Sequence, residues 1–182
     1  IELELLSSHL PYLKSIVMLA VSTGMRESEI FNLKHTQINR VVNQITLEDT
    51  KSGGRQTIRL NETALEVLNS VKKKGDYVFY NTKGRRLKGF GRCWYKLLRK
   101  AGIKDFRFHD LRHCFASYLS MLGANQLDLK AAMRHKSLAM TERYVHLMPS
   151  HQDKVVKKLD GFLDTYIDTQ DKEKGKVISL KR

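Results

Sequence analysis

The sequence predicts a mainly α-helical protein with one small antiparallel β-sheet, an α+β architecture. Apolar residues recur at helical spacing in several long segments, which is typical of amphipathic helices that share a core. Between residues 44 and 60 the pattern instead alternates residue by residue, as in a half-buried β-strand. Hydrophobic residues make up 41% of the 182 residues, which is enough for the core of one domain.

Several predicted elements have a recognisable start or stop. The segments with helical periodicity are 12–24, 26–33, 62–74, 91–103, 110–122 and 126–133. Gly24 is suited to a left-handed C-cap, Asn61 to an N-cap, and Gly123 to ending the helix before it. The alternating runs on either side of Ser52-Gly53-Gly54 predict a β-hairpin over 44–60.

The chain is strongly basic. Lys and Arg total 33 against 19 Asp and Glu, so the formal net charge is +14, and the pI is about 9.8. This balance is typical of a nucleic-acid binder, although a generally basic surface would also produce it. No apolar run approaches the ~20 residues that span a bilayer, so no membrane role is predicted. Cys93 and Cys114 form no CxxC pair, which indicates a reducing compartment.

The start of the fifth predicted helix, His109-Asp110-Leu111-Arg112-His113, concentrates titratable groups. The two histidines have the i, i+4 spacing of a helical zinc motif, but a third ligand is missing and Arg112 would place a fixed charge beside the ion. A phosphate clamp is favoured, since a guanidinium holds phosphate through two parallel hydrogen bonds. Helical geometry places these polar groups on one face; the predicted apolar face consists of Leu111, Phe115, Tyr118 and Leu122.

Other candidates for phosphate chemistry are scattered along the chain. Arg26 follows the Gly24 turn, with Glu29 at i+3 able to hold it, and Lys51 lies in the predicted hairpin turn. Tyr144 follows His135 by nine residues. Taken alone, the Arg–Glu pair is an ordinary helix-surface pair worth about 0.2–0.5 kcal/mol, and the lysine is an ordinary solvated side chain.

Taken in order, these motifs resemble the catalytic domain of the tyrosine recombinases, the phage-integrase family. The resemblance covers about residues 1–150 and rests on Gly24-Met25-Arg26-Glu27-Ser28-Glu29, Lys51, His109-Asp110-Leu111-Arg112, His135 and Tyr144. Two positions depart from the family pattern. Arg134 stands where the family usually has Gly, which would cost about 1–2 kcal/mol if the position is left-handed. Cys114 replaces a frequent Thr, and only a packing effect is expected.

The resemblance implies the tyrosine-recombinase catalytic-domain fold and site-specific DNA recombination, without a metal or cofactor. Tyr144 would attack a DNA phosphodiester and form a 3′-phosphotyrosyl link. Arg26 and Arg112 would bind the non-bridging oxygens, and His109 would help to accept the tyrosine proton. Lys51 would be the general acid at the leaving 5′-oxygen.

The resemblance also implies supporting and DNA-contacting residues. His135 would donate a hydrogen bond to the phosphate, while Glu29 and Asp110 would orient Arg26 and the His/Arg helix. Candidate contacts to the DNA backbone are Arg55, Lys83, Arg85, Arg86, Lys88 and Arg107.

The expected organisation is a catalytic domain over 1–163 and a C-terminal tail over 164–182, docked on its own core or on a neighbouring subunit. The family's N-terminal core-binding domain is expected to be absent from this chain. The expected partner is double-stranded DNA in the cytoplasm of a prokaryote, with a phage or mobile element as the source, and a tetramer on DNA that is a monomer or weak oligomer without it. The alternatives are type IB topoisomerase-like DNA relaxation and a DNA-binding regulator without catalysis.

Overall fold

A computed structural model describes residues 12–48, 54–81 and 83–148, together with Leu159. The chain divides into one unit of residues 1–148 and another of residues 149–182. In the second unit only Leu159 is described, an exposed helical residue. The predicted boundary at 163, the tail and Lys51 lie outside the described residues, so these predictions stay predictions.

The described elements are mostly helical, as predicted. The α-helices are α1 (Leu13–Thr23), α2 (Glu27–Phe31), α3 (Glu62–Ser70), α4 (Gly91–Lys100), α5 (Asp110–Met121) and α6 (Gln126–Met133). Two 3-10 helices cover His35–Gln37 and Leu138–Leu147. The strands are β1 (Ile38–Asn39), β2 (Gln44–Leu47) and β3 (Gln56–Arg59). No helix among the described residues is long and apolar enough to cross a membrane.

The predicted helix caps are confirmed. Gly24 has φ 59°, and its amide donates to the carbonyl of Ala20 at 2.9 Å. The side-chain oxygen of Asn61 accepts from the amide of Ala64 at 2.9 Å. The helix after Asn61 is shorter than predicted and ends at Ser70. Val71 then leaves the helix in an extended conformation, with ψ 119°, and its side chain is buried in the core, while the three lysines after it are exposed.

The predicted hairpin is confirmed and gains one strand. β2 and β3 pair antiparallel with Ile45 opposite Ile58, and both side chains are buried. On its other edge β2 pairs with β1, where Ile38 lies opposite Ile45. The sequence did not predict β1, because two residues are too short to show an alternating pattern.

Helix α5 joins two hydrophobic clusters. On one side it contacts α1, which also packs against α3 in the larger core. On the other side α5 contacts α6 and the second 3-10 helix. The smaller cluster there contains Ala116, Leu129, Met133 and Tyr144. Residues on the first turns of α5 can therefore meet both halves of the described structure.

The apolar face predicted for α5 is only partly correct. Leu111 is buried, but Tyr118 is 54% exposed and Leu122 is 83% exposed. The buried positions of α5 are Leu111, Arg112, Ala116 and Ser120. Small side chains at two of these positions suit a helix that packs on both sides, and the buried guanidinium finds carbonyl partners. Hydrophobicity alone does not predict that Arg112 and Ser120 are buried.

Candidate active site

Arg112 ties together the ends of two other helices. Its side chain is buried, with Nη1 donating to the carbonyl of Gly24 and Nη2 to that of Met133. Burial, reinforced by the positive charges of Arg134 and Arg26, lowers the pKa of Arg112 to about 10. The guanidinium is therefore charged at neutral pH. Two of its five N–H groups are taken by these carbonyls.

Arg26 begins α2 and is held by a carboxylate one turn later. Its backbone amide donates to Oε2 of Glu29 at 2.8 Å, and its Nη1 donates to Oε1 of the same residue at 2.7 Å. The side chain of Arg26 is 24% exposed and that of Glu29 is 10% exposed. The predicted Arg–Glu pair thus forms. Glu29 is mostly buried, and it orients a guanidinium that is partly exposed.

The guanidinium of Arg134 also binds the carboxylate of Glu29. It has the left-handed conformation, with φ 54° and ψ 45°, and caps α6 as a glycine would. Its Nη2 donates to Oε2 of Glu29 at 2.8 Å, and its side chain is 4% exposed. Burial alone would raise the pKa of Glu29, but Arg134 and Arg26 outweigh it and lower that pKa. Glu29 is therefore a carboxylate shared by two arginines.

Tyr144 lies on the second 3-10 helix with its side chain buried. Its hydroxyl is 2.5 Å from Nδ1 of His113. Burial raises the pKa of Tyr144, and the nearby charges of Arg143 and Arg112 offset this only in part. The hydroxyl is therefore protonated at neutral pH, and its attack on an electrophile needs a group that takes the proton.

Two further imidazoles complete the site. His109 is exposed at the start of α5, and its ring stands edge-on to that of His113 with centroids 5.3 Å apart. Nδ1 of His135 is buried and has no hydrogen-bond partner among the described residues. Burial and then the charge of Arg112 lower the pKa of His135 to about 4, so this ring is neutral at neutral pH.

These groups meet in one cavity of about 340 Å³. Five of the six predicted catalytic residues line it: Arg26, His109, Arg112, His135 and Tyr144. Lys51 lies outside the described residues. Sequence reasoning missed two polar lining residues, Arg143 and His113; it considered His113 only as a metal ligand. Two signals could have revealed them, the direct adjacency of Arg143 to the tyrosine and the one-turn spacing of the two histidines on α5.

Asp110 acts at the start of α5 rather than in the cavity. Its carboxylate accepts from the backbone amide of Arg107 at 2.8 Å and from the side chain of Arg107 at 3.2 Å. The six candidate DNA-backbone residues share an exposed position: Arg55, Lys83, Arg85, Arg86, Lys88 and Arg107. Three of them have side-chain partners within the protein: Arg107 donates to Asp110, Arg55 lies 3.7 Å from Glu48, and Arg86 donates to Asn32.

The geometry does not favour the zinc alternative. In the part of the chain that the structure describes, no three His, Cys, Asp or Glu side chains converge into a possible metal site. Nδ1 of His113 is engaged by the tyrosine hydroxyl. The cavity instead brings the guanidiniums of Arg26, Arg112 and Arg143 together with a tyrosine hydroxyl, a combination that suits an anion.

Guanidiniums beside a buried tyrosine hydroxyl suit a class of proteins that hold an anionic group next to that hydroxyl. Residues 3–151 match the model of the phage integrase family, and the chain belongs to this family. The chain is 34% identical to the integrase of Salmonella phage P22 over 180 residues, which is 90% of this chain and 46% of that protein. It is 33% identical to the tyrosine recombinase XerA of Saccharolobus solfataricus over 141 residues, or 74% of this chain and 46% of that one.

The three-dimensional structure is also similar to that of a member of this family. The structure superposes on the catalytic domain of bacteriophage HP1 integrase with a TM-score of 0.69 and 30% identity, covering 85% of this chain and 87% of that domain. The predicted tyrosine-recombinase catalytic-domain fold is therefore confirmed. The chain spans less than half the length of the phage P22 integrase and of the archaeal recombinase.

Proposed function

We propose that this chain cleaves and rejoins DNA strands in site-specific recombination, through a 3′-phosphotyrosyl intermediate on Tyr144. The observation that carries the proposal is the position of the tyrosine hydroxyl, in the cavity that Arg26 and Arg112 line. The energy of the broken phosphodiester is kept in the tyrosyl link. A free 5′-hydroxyl of another strand can then reverse the step, so no nucleotide cofactor is needed.

The chemistry of the cavity supports this assignment. Arg26 and Arg112 supply two charged donors to the non-bridging oxygens, whose negative charge grows in the transition state. Neutral His135 donates one N–H to the phosphate, and His109 faces the same space from the start of α5. Lys51 in the hairpin turn protonates the leaving 5′-oxygen, as the family resemblance implies.

The proposed partner is double-stranded DNA. The net charge of +14 supports it, since exposed Lys and Arg neutralise phosphates and release counterions. The names of the relatives, integrases and tyrosine recombinases, favour recombination over DNA relaxation and over a regulator without catalysis. Assembly into a tetramer on DNA, and action in the cytoplasm of a phage-bearing or mobile-element-bearing prokaryote, belong to the same proposal.

The test is covalent capture on nicked DNA. The chain is incubated with a pool of nicked duplexes of randomised sequence, in which a short 5′-hydroxyl strand diffuses away after cleavage and traps the adduct. A denaturing gel then separates protein-linked DNA, and sequencing the captured strands identifies the site that was cleaved. We expect an adduct with the unchanged chain and none with Tyr144→Phe, because that substitution removes only the nucleophilic oxygen.

Tyr118→Phe is the matched control, since Tyr118 is 54% exposed on α5. It should form the adduct as the unchanged chain does, and both variants should bind DNA equally in a mobility-shift assay. An adduct that persists in Tyr144→Phe would place the nucleophile elsewhere. If the unchanged chain forms no adduct with any duplex in the pool, the proposal is refuted.

A further inference from the structure

We propose that Arg143 is a further catalytic residue, a guanidinium that binds a non-bridging oxygen of the phosphate that Tyr144 attacks. The proposal rests on the function proposed above and adds one contact to the same site. The family resemblance assigns roles to Arg26, Arg112 and four other residues of the site but none to Arg143. Its role is inferred from its place in the cavity.

Arg143 directly precedes Tyr144 on the second 3-10 helix and lines the same cavity. A 3-10 helix has three residues per turn, so neighbouring side chains point about 120° apart. The side chain of Tyr144 is buried, and that of Arg143 is exposed. A phosphate that enters the cavity from solvent therefore comes within reach of both the tyrosine hydroxyl and the Arg143 guanidinium.

The guanidinium of Arg143 is free to bind a ligand. No residue that the structure describes forms a hydrogen bond or an ion pair with it. By contrast, Nη1 of Arg26 donates to Glu29, and two N–H groups of Arg112 donate to carbonyls. All five N–H groups of Arg143 are available to a phosphate, which a guanidinium can bind through two parallel hydrogen bonds.

Arg143 also adds a positive charge to the cavity. The carboxylate of Glu29 binds both Arg26 and Arg134 and offsets part of their charge, whereas no described carboxylate pairs with Arg143. The charge of Arg143 reaches the nucleophile: burial raises the pKa of Tyr144, and Arg143 partly offsets that rise. Negative charge on the non-bridging oxygens grows in the transition state, so this cation binds the transition state more tightly than the substrate.

Arg143 transfers no proton and forms no covalent bond in the step. The oxygen of Tyr144 forms a bond to phosphorus, the bond from phosphorus to the 5′-oxygen breaks, and the leaving oxygen takes that electron pair. In the roles that the family resemblance implies, His109 helps to accept the tyrosine proton and Lys51 protonates the leaving oxygen. Arg143 therefore acts through charge and hydrogen bonds, in cleavage and in rejoining.

Single-turnover cleavage of a nicked duplex recovered from the pool described above tests this contact. Rates are measured at saturating protein, and DNA affinity is measured separately by mobility shift. We expect Arg143→Gln to slow cleavage by about 10²-fold, the lower end of the effect of losing one preorganised donor, because the side chain is exposed. The loss in affinity should be much smaller. Arg99→Gln, exposed in the last turn of α4, is the matched control and should cleave normally.

The same duplex with an uncharged methylphosphonate at the scissile position shows whether Arg143 acts on the phosphate. Without the charge on the non-bridging oxygens there is little for this cation to stabilise, so Arg143→Gln should cleave this substrate nearly as fast as the unchanged chain. Arg143→Lys keeps the charge but loses the fork, so its rate on the phosphodiester should lie between those of the other two proteins. Thermal unfolding shows whether each variant is folded, and the lysine variant stands in if the glutamine variant is not.

Three results would overturn the inference. They are a normal rate for Arg143→Gln at saturating protein, a defect of equal size on both substrates, and no cleavage of the methylphosphonate by this variant. A defect of equal size would mean that Arg143 acts on the tyrosine rather than on the phosphate. Failure of the proposed function is a separate result, because then the unchanged chain forms no adduct on the phosphodiester.

Discussion

Replacing Arg134 by glycine tests whether its strained backbone is maintained by the ion pair with Glu29. Glycine adopts φ 54° freely, and the resemblance to the tyrosine recombinases leads one to expect glycine here. If the position mattered only as a helix C-cap, Arg134→Gly would stabilise the protein. We expect the opposite, because the guanidinium is 4% exposed and lies 2.8 Å from the carboxylate of Glu29.

The magnitude follows from three opposing effects. Removing one member of a buried ion pair costs about 3–5 kcal/mol. The lower end applies, since Glu29 keeps its bond to Arg26 at 2.7 Å. Relief of the left-handed strain returns about 1–2 kcal/mol, while the greater freedom of glycine in the unfolded chain costs about 0.4–1 kcal/mol. The net expectation is a loss of about 2 kcal/mol in the free energy of unfolding, or roughly 4–8 °C in Tm.

The assay is urea unfolding at pH 7 together with a thermal melt, and Asp105→Gly is the matched control. Asp105 also has a positive φ, 53°, but is exposed, so its replacement should change the free energy of unfolding by no more than about 1 kcal/mol. An Arg134→Gly variant as stable as the unchanged chain, or more stable, would refute the argument that the ion pair outweighs the strain.

The same variant has a predicted pH dependence. The pKa of Glu29 is lowered in the folded state, so its carboxylate contributes stability above its unfolded pKa of about 4.3, and this is lost as the pH falls towards the folded pKa. Arg134→Gly removes part of that contribution. The stability difference between the two proteins should therefore narrow below about pH 4.3. A constant difference down to the acid transition would mean that Glu29 does not mediate the effect.

Two further substitutions test the site and the turn that supports it. Arg112→Lys should slow DNA cleavage by at least about 10²-fold, because lysine keeps the charge but loses the fork that holds two carbonyls and, in the proposed reaction, a phosphate. Arg99→Lys, exposed in the last turn of α4, should cleave normally, and a normal rate for Arg112→Lys would make Arg112 purely structural. Gly24→Ala should lower the free energy of unfolding by at least about 2 kcal/mol in a urea titration, because the backbone there has φ 59° and an added Cβ would overlap the ring of Phe115. An unchanged urea midpoint would show that the turn adapts.

Local patterns in the sequence were sufficient for the six α-helices, for the pairing of β2 with β3, and for the caps at Gly24 and Asn61. Gly24 and Asn61 do in the structure what their conformational and hydrogen-bonding preferences predict. The hairpin was predictable because alternation and a glycine-rich turn are both local. Five predicted catalytic residues line one cavity. They could be predicted because their order along the chain matches that of a known family.

The composition of the site depended on contacts between distant parts of the chain. The bond from His113 to Tyr144 spans 31 positions, and that from Arg134 to Glu29 spans 105. No periodicity reveals such pairs, so the sequence showed His113 only as one half of a metal motif and Arg134 only as a departure from glycine. Packing decided their partners, because α5 lies against α1 on one side and against the tyrosine-bearing helix on the other.

The sequence by itself therefore determined the family, the element types and the identity of most groups in the cavity, since these depend on residue preferences and motif order. Only the tertiary structure decided which face of α5 is buried, which imidazole holds the tyrosine and what keeps a left-handed arginine in place. The physical reason is that burying a polar group costs free energy unless it has a hydrogen-bond partner, and for these groups the fold alone brings the partner within reach.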